Sequence, residues 1–254
     1  MFDTHCHVYK NEMENYENII KECDKNNIKL IINGTDKESN EEILKLSKIF
    51  DNVYASIGYA QDVANDINED DFILLDEQIK NNKIVAIGEI GIDYYWTKEN
   101  KDKQIYIFKK QLELAEKYNL PVIVHARDAV QDVYDNIKKS NVRKGSMHCY
   151  SGSYEMAKEF IKLGFKIGID GPITFKNNKK QVELVEKLDL KDLLVETDSP
   201  YLSPEPNRGK QNTPLNLIYI INKIAEIKNE TPEKVIKILN KNTINLYNLG
   251  EINE

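Results

Sequence analysis

The chain opens Met1-Phe2-Asp3-Thr4-His5-Cys6-His7, an apolar start that ends in two imidazoles separated by one residue. Side chains of a β-strand alternate between faces, so a strand here turns His5 and His7 to the same side and Cys6 to the other. Two neutral imidazoles at that spacing can hold one divalent metal from adjacent coordination positions. The plain alternative is an exposed pair of no consequence, since short motifs often match by chance. The rest of the chain decides between the two, according to whether it supplies further ligands at the same place.

The positions of the remaining histidines favour the metal. The chain contains four, His5, His7, His125 and His148, and each stands at the end of a short β-rich run. Such runs fall at about 2–5, 28–33, 53–57, 84–88, 121–124, 145–147, 165–169 and 193–195. Most are followed by an amphipathic stretch with helical spacing, as with Ile105, Phe108, Leu112 and Ala115. Strands alternating with helices predict a parallel sheet, and eight such units over this length predict an α/β fold of the TIM (β/α)₈ barrel type. An open doubly wound sheet is the alternative. The irregular Ser203-Pro204-Glu205-Pro206 stretch follows the last strand, and a final helix is capped by Thr231 with Pro232 at its first position. The expectation is one barrel domain over residues 1–254.

In such a barrel the C-terminal strand ends meet on one face, where active sites are built. Glu89 follows the fourth run and Asp198 the eighth, so six metal-competent side chains are expected at one mouth: His5, His7, Glu89, His125, His148 and Asp198. Nitrogen and oxygen donors without thiolate suit zinc, manganese, iron or magnesium. Six are too many for one catalytic ion that keeps an open position, and they fit two cations sharing a carboxylate. Glu89, central in strand order, is the candidate bridge. A pair of divalent metals, with no nucleophilic Ser or Cys beside a base, implies hydrolysis by metal-bound water at a phosphoryl or carbonyl centre.

Composition limits the partners. A net charge of −7 argues against coating duplex DNA through many phosphate contacts, though not against a pocket that grips one or two phosphates. Charged residues make up 30% and hydrophobic residues 41%, which fits a globular protein with a sizeable core. The sequence lacks an apolar run of membrane-spanning length and a signal-peptide pattern, and Cys6, Cys23 and Cys149 form no C-x-x-C. These features predict a cytoplasmic protein with free thiols and no membrane association; nothing in them implies a protein partner.

Five segments resemble the signatures of TatD-type metal-dependent hydrolases, part of the wider amidohydrolase barrel group. They are Asp3-Thr4-His5-Cys6-His7, Gly88-Glu89-Ile90-Gly91-Ile92-Asp93, Val124-His125-Ala126-Arg127, His148-Cys149-Tyr150-Ser151-Gly152 and Glu196-Thr197-Asp198-Ser199-Pro200-Tyr201-Leu202. The resemblance runs from residue 3 to the 242–247 region. It implies a barrel, two divalent cations (magnesium, manganese or zinc), and exonuclease action on DNA, with single-stranded ends as the expected substrate. By the same resemblance His5, His7 and Asp198 hold one metal with Glu89, and Glu89, His125 and His148 hold the other. Glu89 and Asp198 are then the catalytic carboxylates, Asp198 also orienting the attacking water.

Arg127, two residues after His125, is expected to meet substrate phosphate; its alternative is a salt bridge to a nearby carboxylate. Tyr150 and Ser151 are expected to hydrogen-bond the same group, and Arg208 and Lys210 of the late loop are candidate phosphate contacts. Tyr94, Tyr95 and Trp96 are candidates for base stacking, with packing under a loop as the alternative. One departure concerns the third strand, where many members carry Gly-x-His-Pro and this chain reads Gly58-Tyr59-Ala60-Gln61. That puts the substrate range in question and leaves the metal ligands intact. A second function consistent with the same ligands is hydrolysis of the ester in mischarged aminoacyl-tRNA. A third is a metal-stabilised scaffold without catalysis.

Overall fold

Each of the eight short apolar runs forms a strand, and all eight pair in parallel in sequence order. In the computed structural model, which describes residues 1–250, the strands are β1 (Phe2–Cys6), β2 (Lys29–Asn33), β3 (Val53–Ile57), β4 (Ala86–Asp93), β5 (Val122–Arg127), β6 (Gly145–Met147), β7 (Phe165–Ile169) and β8 (Leu193–Val195). Seven helices follow the first seven strands: α1 (Tyr16–Lys25), α2 (Lys37–Ile49), α3 (Glu69–Asn81), α4 (Lys101–Tyr118), α5 (Val130–Lys139), α6 (Tyr154–Lys162) and α7 (Lys179–Lys187). Two more, α8 (Leu217–Lys228) and α9 (Pro232–Tyr247), come after β8. The last residues of the expected 1–254 domain, 251–254, lie outside the described residues. The barrel is nearly closed.

The seam between β8 and β1 is joined largely by polar groups. The Thr4 hydroxyl donates to the Val195 carbonyl at 3.1 Å, and the Asp198 N–H donates to the His5 carbonyl at 2.9 Å. Asp3, fully buried, accepts the Thr197 N–H at 2.9 Å and the Thr197 hydroxyl at 2.5 Å. Burial pushes the Asp3 carboxyl up to about 7, against the Thr197 hydrogen bonds that favour its charged form. These contacts fix the ends of β1 and β8 against each other, and both ends carry site residues.

The apolar faces of the helices pack on the outside of the strands, with Ile20, Ile43, Leu75, Phe108, Val133, Phe160 and Leu184 in one continuous core. Helix starts follow local chemistry. Asp36 and Ser39 form a reciprocal capping box at α2, Asn68 and Asp71 do the same at α3, and Thr231 caps α9 ahead of Pro232.

Two strands run further than the sequence predicts. Strand β4 continues to Asp93 and β5 to Arg127, paired in register as Gly91↔His125, Ile92↔Ala126 and Asp93↔Arg127. Polar residues interrupt the apolar run at Glu89 and His125, yet the alternation persists, because those side chains face a polar interior. Gly91, at φ +155°, lets β4 approach so closely that a Cβ there would overlap the His125 carbonyl.

Candidate metal centre

The extended backbone of β1 turns His5, and the residue after its end turns His7, into the barrel mouth. Their Nε2 atoms lie 3.1 Å apart. Glu89 reaches the same point from mid-β4, with Oε2 at 3.3 Å from His5 Nε2 and 3.4 Å from His7 Nε2. Asp198, in a left-handed turn after β8 (φ 54°), brings Oδ1 to 3.3 Å and 3.5 Å from the same two nitrogens. The other Glu89 oxygen, Oε1, lies 3.3 Å from His125 Nδ1 and 3.2 Å from His148 Nε2, and those two nitrogens are 3.0 Å apart. All six side chains singled out as ligands thus meet in two groups, with one oxygen of Glu89 in each.

The site calls for positive charge. Burial pushes the carboxyls of Glu89 and Asp198 up, but the surrounding imidazoles outweigh it and hold both well below the usual carboxylate range. Burial disfavours protonated His5, His7 and His125, yet contacts with Asp198, Glu89 and Asp93 raise them to about 9, 10 and 9. His148 is pushed down to about 4 by burial and by His5 beside it. The carboxylates of Glu89, Asp198 and Asp93 thus favour positive charge at His5, His7 and His125.

Divalent cations fit the same demand. Ligand atoms about 2.1 Å from one ion lie roughly 3.0–3.4 Å from each other, and the facing nitrogens and oxygens here are 3.0–3.5 Å apart. The His5/His7/Glu89 and Glu89/His125/His148 sets are both tight enough to hold an ion.

The imidazoles are aimed by different partners. His7 Nδ1 lies 3.0 Å from the Asn33 carbonyl, which can only accept, so Nε2 is left free to ligate. His125 Nε2 lies 3.1 Å from Asp93 Oδ2. Among the described residues, His5 Nδ1 and His148 Nδ1 have no partner. His148 is placed by its backbone instead: Cys149 adopts φ 43°, and its N–H donates to Glu196 Oε1 at 2.5 Å. Glu196, fully buried, also accepts the Thr4 hydroxyl at 3.2 Å, and burial pushes its carboxyl up to about 8. Gly168 leaves the room for it, since a methyl there would overlap that carboxylate. No local signal in the sequence marks Asp93 and Glu196 for these roles, since neither of their motifs contains a histidine and their partners His125 and Cys149 stand far away in the chain.

The centre floors a cavity of 620 Å³. One wall holds Arg127, whose guanidinium lies 3.7 Å from the Tyr95 ring centroid and 5.6 Å from that of Trp96. Both aromatics are exposed, Trp96 at 76%. Tyr94, by contrast, is buried and donates its hydroxyl to Asp132 at 2.6 Å. Across the mouth the Tyr201 hydroxyl donates to Glu12 at 2.6 Å, and both residues line the cavity with Gln61 and Asp62.

Other expected contacts lie elsewhere. Tyr150 is corrected: it is 2% exposed, packs its ring edge against Phe160 and donates its hydroxyl to the Ser153 carbonyl, so it serves the core. Ser151 beside it is exposed but outside the residues that line the cavity. Arg208 lies over the Phe175 ring at 4.2 Å and pairs with Glu205 at 3.8 Å, and Lys210 is exposed; neither lines the cavity. At the third strand end Tyr59 turns into the core and donates to the Asp71 carbonyl at 2.9 Å, while Ala60 and Gln61 form cavity wall.

The chain is similar to known proteins over nearly its whole length. The family model for TatD related DNase matches residues 2–248. The "Uncharacterized metal-dependent hydrolase YabD" of Bacillus subtilis (strain 168) is 37% identical over 254 residues, covering 98% of this chain and 100% of the relative. A protein of Methanocaldococcus jannaschii, also described as an uncharacterized metal-dependent hydrolase, is 38% identical over 250 residues and 96% of each chain. Among solved structures, YJJV, a TatD homologue from Escherichia coli K12, superposes with a TM-score of 0.91 at 28% identity, over 98% of each chain.

Proposed function

The chain belongs to the TatD-related DNase family of metal-dependent hydrolases, and on that basis we propose that it hydrolyses phosphodiester bonds as a DNA exonuclease acting on single-stranded ends. The observation that carries this reading is the Arg127 guanidinium stacked on Tyr95 beside exposed Trp96, on the wall of the cavity floored by Glu89. A cation and an aromatic surface side by side suit a nucleotide, whose phosphate pairs with Arg and whose base stacks on a ring. The carboxylates Glu12 and Asp62 in the same cavity disfavour a phosphate chain running through it, which supports action at an end.

His5, His7, Glu89 and Asp198 would hold one divalent cation, and Glu89, His125 and His148 the other; nitrogen and oxygen donors admit magnesium, manganese or zinc. Such cations, when bound, supply charge that polarises the ester and lowers the pKa of water. The chain's own groups do the rest. Arg127 binds and orients the phosphate, Trp96 and Tyr95 seat the terminal base, and Asp198, which lines the cavity, orients the attacking water and takes its proton. Among the described residues no helix is long and apolar enough to cross a membrane. The free thiols of Cys6, Cys23 and Cys149 support a cytoplasmic location.

Glu12 and Asp62 also favour a second reading, an ester carrying an ammonium group, as in aminoacyl-tRNA. One experiment separates the two. Protein stripped of metal and resupplied with magnesium, manganese or zinc in turn is assayed on end-labelled linear DNA, circular single-stranded DNA and aminoacyl-tRNA. The expected result is cation-dependent release of mononucleotides from linear DNA alone. Deacylation without DNA cleavage establishes the second reading, and cutting of the circle rules out a strict exonuclease.

A further inference from the structure

Asp93 ends β4 with its carboxylate buried between two features that the proposed function uses separately. Oδ2 lies 3.1 Å from His125 Nε2, and Oδ1 accepts the Tyr95 N–H at 2.8 Å. One carboxylate therefore spans from a ring of the metal centre to the first residue of the exposed aromatic pair.

Its position leaves little freedom. Gln104, reaching in from α4, accepts the Asp93 N–H at 2.9 Å and donates to the Asp93 carbonyl at 3.0 Å, and it also donates to Asn100 Oδ1 at 2.8 Å. Strand pairing sets Asp93 opposite Arg127 and Gly91 opposite His125. A carboxylate held this way can only accept, so it assigns the hydrogen of His125 to Nε2 and leaves the Nδ1 lone pair aimed at Glu89 and His148. Among the described residues no other imidazole of the centre is oriented by a carboxylate on its far nitrogen: His7 leans on a backbone carbonyl, and His5 and His148 have nothing there.

The other oxygen holds the start of the loop. The Asp93–Tyr95 bond closes an Asx-type turn, after which Tyr95 and Trp96 meet edge to face at 4.9 Å and the Arg127 guanidinium covers Tyr95. A shift of the His125 ring on taking up a cation at Nδ1 would pass through this carboxylate to the Tyr95 amide, and from there to the wall that would seat a base.

We propose that Asp93 is a positioning residue that couples cation binding at the Glu89/His125/His148 cluster to the conformation of the Tyr95–Trp96 wall. This rests on the reading that the cluster binds a divalent cation. Linkage makes the coupling reciprocal: a nucleic-acid end that settles on the wall strengthens cation binding at that cluster by the same factor.

The chain contains one tryptophan, Trp96, so its emission reports this wall and nothing else. The test titrates metal-stripped full-length protein with zinc, a diamagnetic ion, and follows heat and Trp96 emission together without any DNA. In the wild type the emission is expected to shift as the second cluster fills. In Asp93→Asn, binding at that cluster is expected to weaken by roughly 10–100-fold, and the shift is lost even at zinc concentrations that fill both sites. His7→Ala, which weakens the other cluster, keeps the shift. Asp93→Ala removes both acceptor oxygens and leaves the Tyr95 and Trp96 rings in place; it is expected to weaken zinc binding at the same cluster and lose the shift at full occupancy, and it serves if Asp93→Asn does not fold.

Wild-type zinc affinity in Asp93→Asn overturns the proposal, and so does a full emission shift in either variant at full occupancy. A wild type that binds zinc and shifts its emission but cleaves no DNA leaves the coupling standing and removes the nuclease reading. A wild type that binds no cation under any condition overturns both.

Discussion

His5 and His148 stack face to face, with ring centroids 3.9 Å apart and planes 15° from parallel. They come from opposite sides of the barrel, and each turns Nε2 to a different oxygen of Glu89, at 3.3 Å for His5 and 3.2 Å for His148. The two groups of donors therefore share a packing contact as well as a carboxylate. His7 and His125 stand at the outer ends of the pair. Truncating an outer imidazole removes one donor, whereas truncating an inner one also takes away the surface against which the opposite ring rests. His7→Ala and His125→Ala are expected to lose one equivalent of metal, and His5→Ala and His148→Ala to lose part of both. Elemental analysis after saturation with one cation checks this; equal losses across the four variants would contradict it.

Glu89→Gln is expected to be the most damaging single change. It keeps shape but removes the negative charge between the two donor groups, so both cations bind less tightly and excess cation restores only part of the activity. A loss on the order of 10²-fold or more is expected, comparable to deleting one preorganised charge-stabilising contact. Turnover measured over a cation titration tests it. Two ions bound with near-normal turnover would remove Glu89 from the bridging role.

Gly168→Ala probes the support beneath the centre. The added methyl overlaps the Glu196 carboxylate, which holds the Cys149 N–H and with it the left-handed backbone that follows His148. The expected outcome is a loss of metal affinity at the His148 end larger than at the His7 end, with the helical content of the barrel retained. Calorimetric metal titration beside circular dichroism reads both. Wild-type affinity in a folded variant would show that Glu196 does not position His148.

Much of this architecture is legible in residue types alone. Four histidines at strand ends, with Glu89 and Asp198 in the same places along the chain, identify the group that meets at the mouth. Eight apolar runs separated by amphipathic stretches identify the barrel. What escaped depends on contacts between distant segments. That β4 extends to Asp93 follows from its pairing with β5, and no local apolar pattern marks it. Asp93 and Glu196 act on residues 32 and 47 positions away. Tyr150 stands two residues after His148, but the left-handed turn at Cys149 breaks the alternation that would have put it on the same side.

Asp170 supplies a pH signature of stability. Burial raises its carboxyl from 3.8 to about 6, against a hydrogen bond donated by Gln181. The unfolded chain releases this proton near 3.8 and the folded chain keeps it to about 6, so between these values the folded state binds more protons. Stability from this group therefore falls as pH rises through that window, and the full cost, about 3 kcal/mol, stands above it. Asp170→Asn keeps an oxygen for Gln181 and removes the charge. The variant is expected to gain stability relative to the wild type between pH 4 and pH 6 in roughly that proportion, and to hold the gain at neutral pH. Urea midpoints of the two proteins across this range measure the difference, and a constant difference would mean that Asp170 does not titrate there.

Arg127→Ala separates phosphate binding from metal binding. The guanidinium stacks on Tyr95 and lines the cavity, and none of the six donor side chains at the floor depends on it. Metal content is therefore expected to match the wild type, while DNA cleavage falls by about 10²-fold, the scale of one charge-assisted contact to the reacting group. Arg127→Lys is expected to recover little, because an ammonium cannot lie flat on the ring or present a planar fork to phosphate. If the second reading of the substrate is correct, the same variant instead leaves hydrolysis of an aminoacyl ester nearly unchanged, because the ester bond carries no phosphate. Parallel rates on DNA and aminoacyl-tRNA with Arg127→Ala thus test both the contact and the class of substrate. Full DNA cleavage in this variant would remove Arg127 from the site and leave Trp96 as the remaining support for a nucleotide there.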